Sequence, residues 1–164
     1  MADRGKVFEK ELRDSMLNAG MMVERIPDAT YWNGHRMVSK QTPADFHAYK
    51  ASERLVCFMI EAKATSTSRL DFARLEEHQR CALIDFDAFH EDAHGYVAVN
   101  FYDKVSIRRG NRCFMVPIAV WDEYEMLGGR KSLALSQCEE DERIVECPRI
   151  AGSIFDMEEW IQNF

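Results

Sequence analysis

Asp45, Glu61 and Lys63 are the residues of this chain whose types and spacing suit them to chemistry on a phosphate. Glu61 and Lys63 close the run Leu55-Val56-Cys57-Phe58-Met59-Ile60-Glu61-Ala62-Lys63. Its apolar body reads as a buried strand, on which two residues two apart leave the same face. If residues 45–49 pair antiparallel with 56–61, Asp45 and Glu61 converge at one end of the hairpin. Two carboxylates at one point repel unless a cation lies between them, and hard oxygen ligands favour Mg²⁺ or Mn²⁺. A lysine beside them can orient or polarise a water, or offset charge on a phosphate in the transition state. Surface strands with alternating charges carry the same residue types, so the motif takes its meaning from the elements around it.

Those elements follow from the pattern of apolar residues and turns. The spacing of Val7 or Phe8, Leu12 and Met16 predicts a helix over Lys6 to Asn18, with Gly20 as its stop. Met21 to Ile26 reads as a short strand ended by Pro27. Asp28 to Thr42 is polar, aromatic and rich in turn residues, and reads as a loop or short protrusion. After Lys63 a Thr/Ser loop leads to a predicted helix from about Leu70 or Asp71 to Phe89, with Phe72, Leu75, Ala82, Phe86 and Phe89 as its apolar stripe. Gly95 to Phe101 and Arg112 to Ile118 read as a strand pair turning at Arg109-Gly110-Asn111. Ala119 to Leu127 reads as a short helix, Ile144-Val145 as strand, and Asp156 to Phe164 as a short helix capped by Asp156. The order predicts an α/β fold, a small mixed central β-sheet flanked by helices, with the motif strands central.

The bulk composition is that of a globular chain. With 164 residues, 46% hydrophobic and 30% charged, one domain is expected, its core at about 4–127 and an acidic C-terminal extension at about 128–164. No apolar run approaches the ~20 residues needed to cross a bilayer. The five cysteines are odd in number and widely spaced, which predicts reduced thiols and a cytoplasmic location. The net charge of −7 is concentrated in the tail: residues from Glu139 onward carry −6, leaving about −1 for the rest. Basic residues gather at Arg4, Lys6, Lys10 and Arg13, at Arg25, Arg36 and Lys40, and at Arg108, Arg109 and Arg112.

Gly5-x-x-x-Glu9, Pro43-Ala44-Asp45-Phe46, Ile60-Glu61-Ala62-Lys63 and Phe72-x-x-Leu75-x-x-His78-Gln79 stand in this order. Together they resemble the RecU-type Holliday junction resolvases of the PD-(D/E)xK nuclease superfamily, from about Arg4 to Trp121. The resemblance implies a restriction-endonuclease-like fold and a homodimeric endodeoxyribonuclease that resolves four-way DNA junctions by paired, symmetric cuts. Each cut would leave a 5′-phosphate and a 3′-hydroxyl. It implies that Asp45, Glu61 and the backbone carbonyl of Ala62 hold Mg²⁺ or Mn²⁺, with Glu9 as a third acid acting directly or through water. Lys63 would position the attacking water, and Gln79 would orient Lys63, water or phosphate. Arg4, Lys6, Arg36, Lys40, Thr42 and Trp32 are the expected DNA contacts, Trp32 by stacking on opened bases.

Three departures set this chain apart from that family. The protrusion between the first strand and Asp45 is confined to Pro27–Thr42, where RecU proteins carry a longer stalk. The acidic tail and the overall acidity are also unfamiliar, and are compatible with a phage or prophage source acting in the host cytoplasm. Two alternatives remain open at this point: a restriction-like or repair nuclease on duplex or flapped DNA, and a non-catalytic DNA-binding module on the same fold.

Overall fold

The computed structural model describes residues 3–102 and 111–164. Helix α1 (Arg4–Asn18) starts where the Asp3 side chain accepts from the Gly5 N–H. Phe8, Leu12 and Met16, four apart, are fully buried. Gly20 ends it with φ +75°, a backbone conformation suited to glycine. Strand β1 (Met22–Arg25) follows. The expected loop folds instead as an antiparallel ribbon of β2 (Ala29–Trp32) and β3 (Met37–Lys40), with Trp32 opposite Met37. Its tip is organised by Asn33, whose side chain accepts from the His35 and Arg36 N–H groups. Trp32 and Met37 are exposed on it.

Strands β4 (Phe46–Ala51) and β5 (Leu55–Thr65) form the predicted motif hairpin, with Phe46 opposite Ile60. Beyond it the helix prediction is corrected. Arg69–Asp71 is a strand, β6, and Phe72–Arg74 a single 3₁₀ turn; α2 spans only Glu77–Asp87. Phe72 and Leu75 are buried three apart, as on a helix, but by the 3₁₀ turn, and Leu70 is buried by the strand. Glu76 is extended, and its N–H is taken by the Gln79 side chain, which sets the true helix start. Leu83 is the fully buried residue of α2, whereas Phe89 is 83% exposed.

β7 (Ala93–Phe101) runs parallel to β5 through the α2 crossover, and β8 (Arg112–Pro117) runs antiparallel to β7. Of the expected turn and basic cluster, Arg108, Arg109 and Gly110 lie outside the described residues. α3 (Ile118–Met126) then leads to β9 (Ser132–Ala134), which pairs with β6, and to α4 (Leu135–Glu140).

The acidic segment is woven into the fold. β10 (Val145–Cys147) extends the main sheet to six strands, in the order β1-β4-β5-β7-β8-β10. β11 (Arg149–Ala151) and β12 (Ile154–Phe155) form a small hairpin, and α5 is only Glu158–Ile161, with Asp156 accepting from the Glu158 N–H. Three tail acids have arginine partners: Glu139 and Glu146 hold Arg112, and Asp141, with Glu123 of α3, holds Arg143. The molecule is thus a mixed α/β sandwich. α1, α5 and Phe155 cover one face of the sheet, burying Phe58, Ile60, Tyr96 and Trp160. α2, α3 and α4 cover the other, burying Met59, Val97, Val99, Val116 and Trp121.

Candidate active site

The hairpin register decides where the acids go. One residue before β4 the ladder continues, the Asp45 N–H donating to the Ile60 carbonyl at 3.1 Å. The Asp45 side chain turns across to β5, where Oδ2 accepts from the Ala62 N–H at 2.8 Å. Glu61 and Lys63 leave β5 on the face covered by α2, as their spacing predicts. Lys63 Nζ donates to Glu61 Oε1 at 2.6 Å and to Gln79 Oε1 at 3.2 Å. Gln79 Nε2 donates to the same Glu61 Oε1 at 2.7 Å, while the Glu76 N–H fixes the amide from behind. Gln79 therefore bonds both the lysine and the glutamate. Glu61 Oε2 is buried and has no hydrogen-bond partner among the described residues.

The electrostatics are those of a site short of positive charge. Burial, then the neighbouring Asp45, push the Glu61 carboxyl up to about 7, against the opposing pull of Lys63 and Gln79. Burial also raises Asp45, with the Ala62 N–H and Lys63 acting in the other direction. Glu9 is raised by burial and by Asp45, which places it in the same field. Carboxylates perturbed together in this way mark a candidate functional site.

The donor set suits a hard divalent cation. Two carboxylates converge, and one buried oxygen, Glu61 Oε2, lacks a donor among the described residues. Mg²⁺ commonly takes one or two carboxylates and keeps several waters. Among the described residues no group of three or more His, Cys, Asp or Glu closes around a point. Glu9 thus stands back from the pair, on α1, bound to Arg25 at 3.4 Å.

The remaining expected residues separate into four places. Lys6 lines an open groove with Glu9, Lys10, Arg13, Arg25 and Asp28, beside the acids. Trp32, Arg36 and Lys40 belong to the ribbon and are exposed. Arg4 is drawn inward, donating to Glu11 and to Asn100 at the end of β7. Thr42 enters through its backbone: its carbonyl meets His78 Nε2 at 3.0 Å. The Arg25 contact to Glu9 and the His78 contact to Thr42 escaped the sequence reading. They join residues 16 and 36 apart, and no local spacing signals them.

No protein-family model matches the chain, and no curated protein is similar to it in sequence. Among solved structures, Hjc from Archaeoglobus fulgidus, a Holliday junction resolvase from an archaeal hyperthermophile, is similar over 70% of this chain and 78% of its own. The identity is 21% and the TM-score 0.46. Likeness at that level bears on neither substrate nor mechanism, which rest on the site itself.

Proposed function

We propose that this chain is a divalent-metal-dependent endodeoxyribonuclease that hydrolyses phosphodiester bonds in branched DNA, four-way junctions foremost. The observation that carries the reading is Glu61: one oxygen pinned by Lys63 and Gln79, the other buried without a partner beside Asp45. Asp45, Glu61 and the Ala62 carbonyl would hold the cation, with Glu9 as a third acid acting directly or through water. Mg²⁺ or Mn²⁺ bound there supplies Lewis-acid and water-activating chemistry. Lys63, held by Gln79, keeps its ammonium at the edge of the pair, where it offsets charge on the scissile phosphate. The groove from Lys6 to Arg25 receives the phosphate backbone, and Trp32 on the ribbon stacks on unpaired bases.

The junction preference draws on the order of the sequence motifs and on the exposed aromatic ribbon. A two-fold substrate favours a homodimer with paired sites. Among the described residues no helix is long and apolar enough to cross a membrane. A cytoplasmic location, and a phage origin, belong to the same proposal.

The test is cleavage of a labelled synthetic four-way junction, with matched duplex and single strands beside it, in Mg²⁺, Mn²⁺ or EDTA. Wild type, Asp45→Asn and Trp32→Ala are compared. Symmetric metal-dependent nicks at the junction, lost in Asp45→Asn and weakened in Trp32→Ala, are expected. Equal cutting of plain duplex, unaffected by Trp32→Ala, would leave a nuclease of another substrate. Tight DNA binding with no cutting in either metal would make the chain a binding module.

A further inference from the structure

We propose that His78 is a positioning residue for the Asp45 carboxylate, acting through the Thr42 carbonyl, so that the first turn of α2 sets both metal-binding acids. This rests on the metal-nuclease reading above and deepens it. A carbonyl oxygen only accepts, so His78 Nε2 carries a proton and donates to Thr42 across 3.0 Å. On the other side of the ring, Nδ1 lies 3.4 Å from Glu76 Oε2. Glu76 caps α2, and its N–H also holds Gln79. Two adjacent side chains of one helical turn thus run to the two arms of the site. Gln79 goes to Glu61 and Lys63 on β5, and His78 goes to the chain three residues before Asp45.

The segment between Thr42 and Asp45 is stiff. Pro43 has its φ fixed by the ring, and Ala44 is 1% exposed. Asp45 is tied at its own end by its N–H to the Ile60 carbonyl and by its carbonyl to the Ile26 N–H, at 3.1 and 2.8 Å. Thr42 is therefore the last point at which the segment is held before the chain leaves for the ribbon, whose strand β3 ends at Lys40. Displacement of the ribbon by a bound strand reaches Asp45 along two arms, through Ile26 before β2 and through Thr42 after β3. The His78 bond stands across the second arm and damps what arrives by it. The imidazole is 28% exposed, so water is within reach, and the bond to Thr42 is a specific commitment.

The test compares His78→Gln with His78→Asn in the full chain. Glutamine places an amide N–H near the Nε2 position; asparagine reaches only as far as Nδ1. Mn²⁺ affinity, measured by the electron spin resonance of free Mn²⁺, should weaken about tenfold in His78→Asn and stay within about threefold of wild type in His78→Gln, the size seen when residues behind metal ligands are lost. In EDTA, hydrogen exchange at the Ala44 and Asp45 amides should quicken in His78→Asn alone. Cleavage should fall in kcat, with KM for DNA unchanged. If the two variants behave alike in affinity and exchange, the assignment of His78 is overturned. A wild-type chain that binds no Mn²⁺ and cuts nothing would instead sink the metal-nuclease reading itself, which the Asp45→Asn control separates from a failure at His78.

Discussion

Glu61 shows at the scale of one residue what the site costs the fold. Its carboxyl, pushed up to about 7 from the ordinary 4.5, is easier to protonate when folded than when unfolded. The sign follows directly: below pH 4.5 the group costs nothing, and as pH rises through about 7 the buried charge opposes folding. A shift of this size is worth on the order of 3 kcal/mol in the metal-free protein. Stability in EDTA should therefore fall between pH 5.5 and 8, and Mg²⁺ or Mn²⁺ should restore it at pH 8 more than at 5.5, as thermal denaturation would record. Asp45→Asn keeps an oxygen for the Ala62 N–H and removes the second-largest cause of the shift. It should flatten that pH slope and raise stability in EDTA at pH 8 by roughly 1 kcal/mol, while losing metal binding. Unchanged stability and slope in this variant would mean that the two carboxylates do not repel.

At the scale of elements, the approach of α2 to β7 decides whether Gln79 and His78 reach their partners. Gly95 permits it: a Cβ there would lie 2.5 Å from the Leu83 carbonyl oxygen and 3.0 Å from Ile118 Cγ2. Gly95→Ala should cost about 2 kcal/mol in urea denaturation and, by lifting α2, slow cleavage beyond what the lost stability explains. A stable variant that cuts normally would show that the helix has slack. The same scale separates what the sequence made legible from what it hid. Asp45, Glu61 and Lys63 were readable because a two-residue strand period and one hairpin place them, both local rules. The start of α2 lies later than the sequence predicts because Phe72 and Leu75, three apart as on a helix stripe, belong to a 3₁₀ turn and its cap, and Leu70 to β6. The three-residue pairing of β6 with β9 and the short hairpin of β11 with β12 are too brief to leave a pattern. The ribbon was visible only as a run of turn residues, since β2 and β3 have four residues each and pair with no core strand.

Across the whole molecule, residues 149–160 hold α1. Arg149 and Arg4 clasp the buried Glu11 of α1 from two sides, at 2.7 and 3.1 Å. The Phe155 N–H donates to the buried Ser15 hydroxyl, and Trp160 packs on Phe58 and Tyr96 beneath α1. Deleting residues 143–164 removes a strand of the main sheet together with these contacts. The truncated chain should lose its near-ultraviolet circular dichroism and its cooperative unfolding transition, binding hydrophobic dyes instead; a truncated chain that unfolded cooperatively would make the tail an ornament. The clasp also has a meaning in time. A ribosome adds residues at roughly 5–20 per second and releases α1 well before the side chains that lock it down, which follow Glu11 and Ser15 by 138 and 140 residues. Glu9 rides on that helix. A nascent chain thus carries its acids without the packing that sets them, and full competence arrives only when translation has passed Trp160.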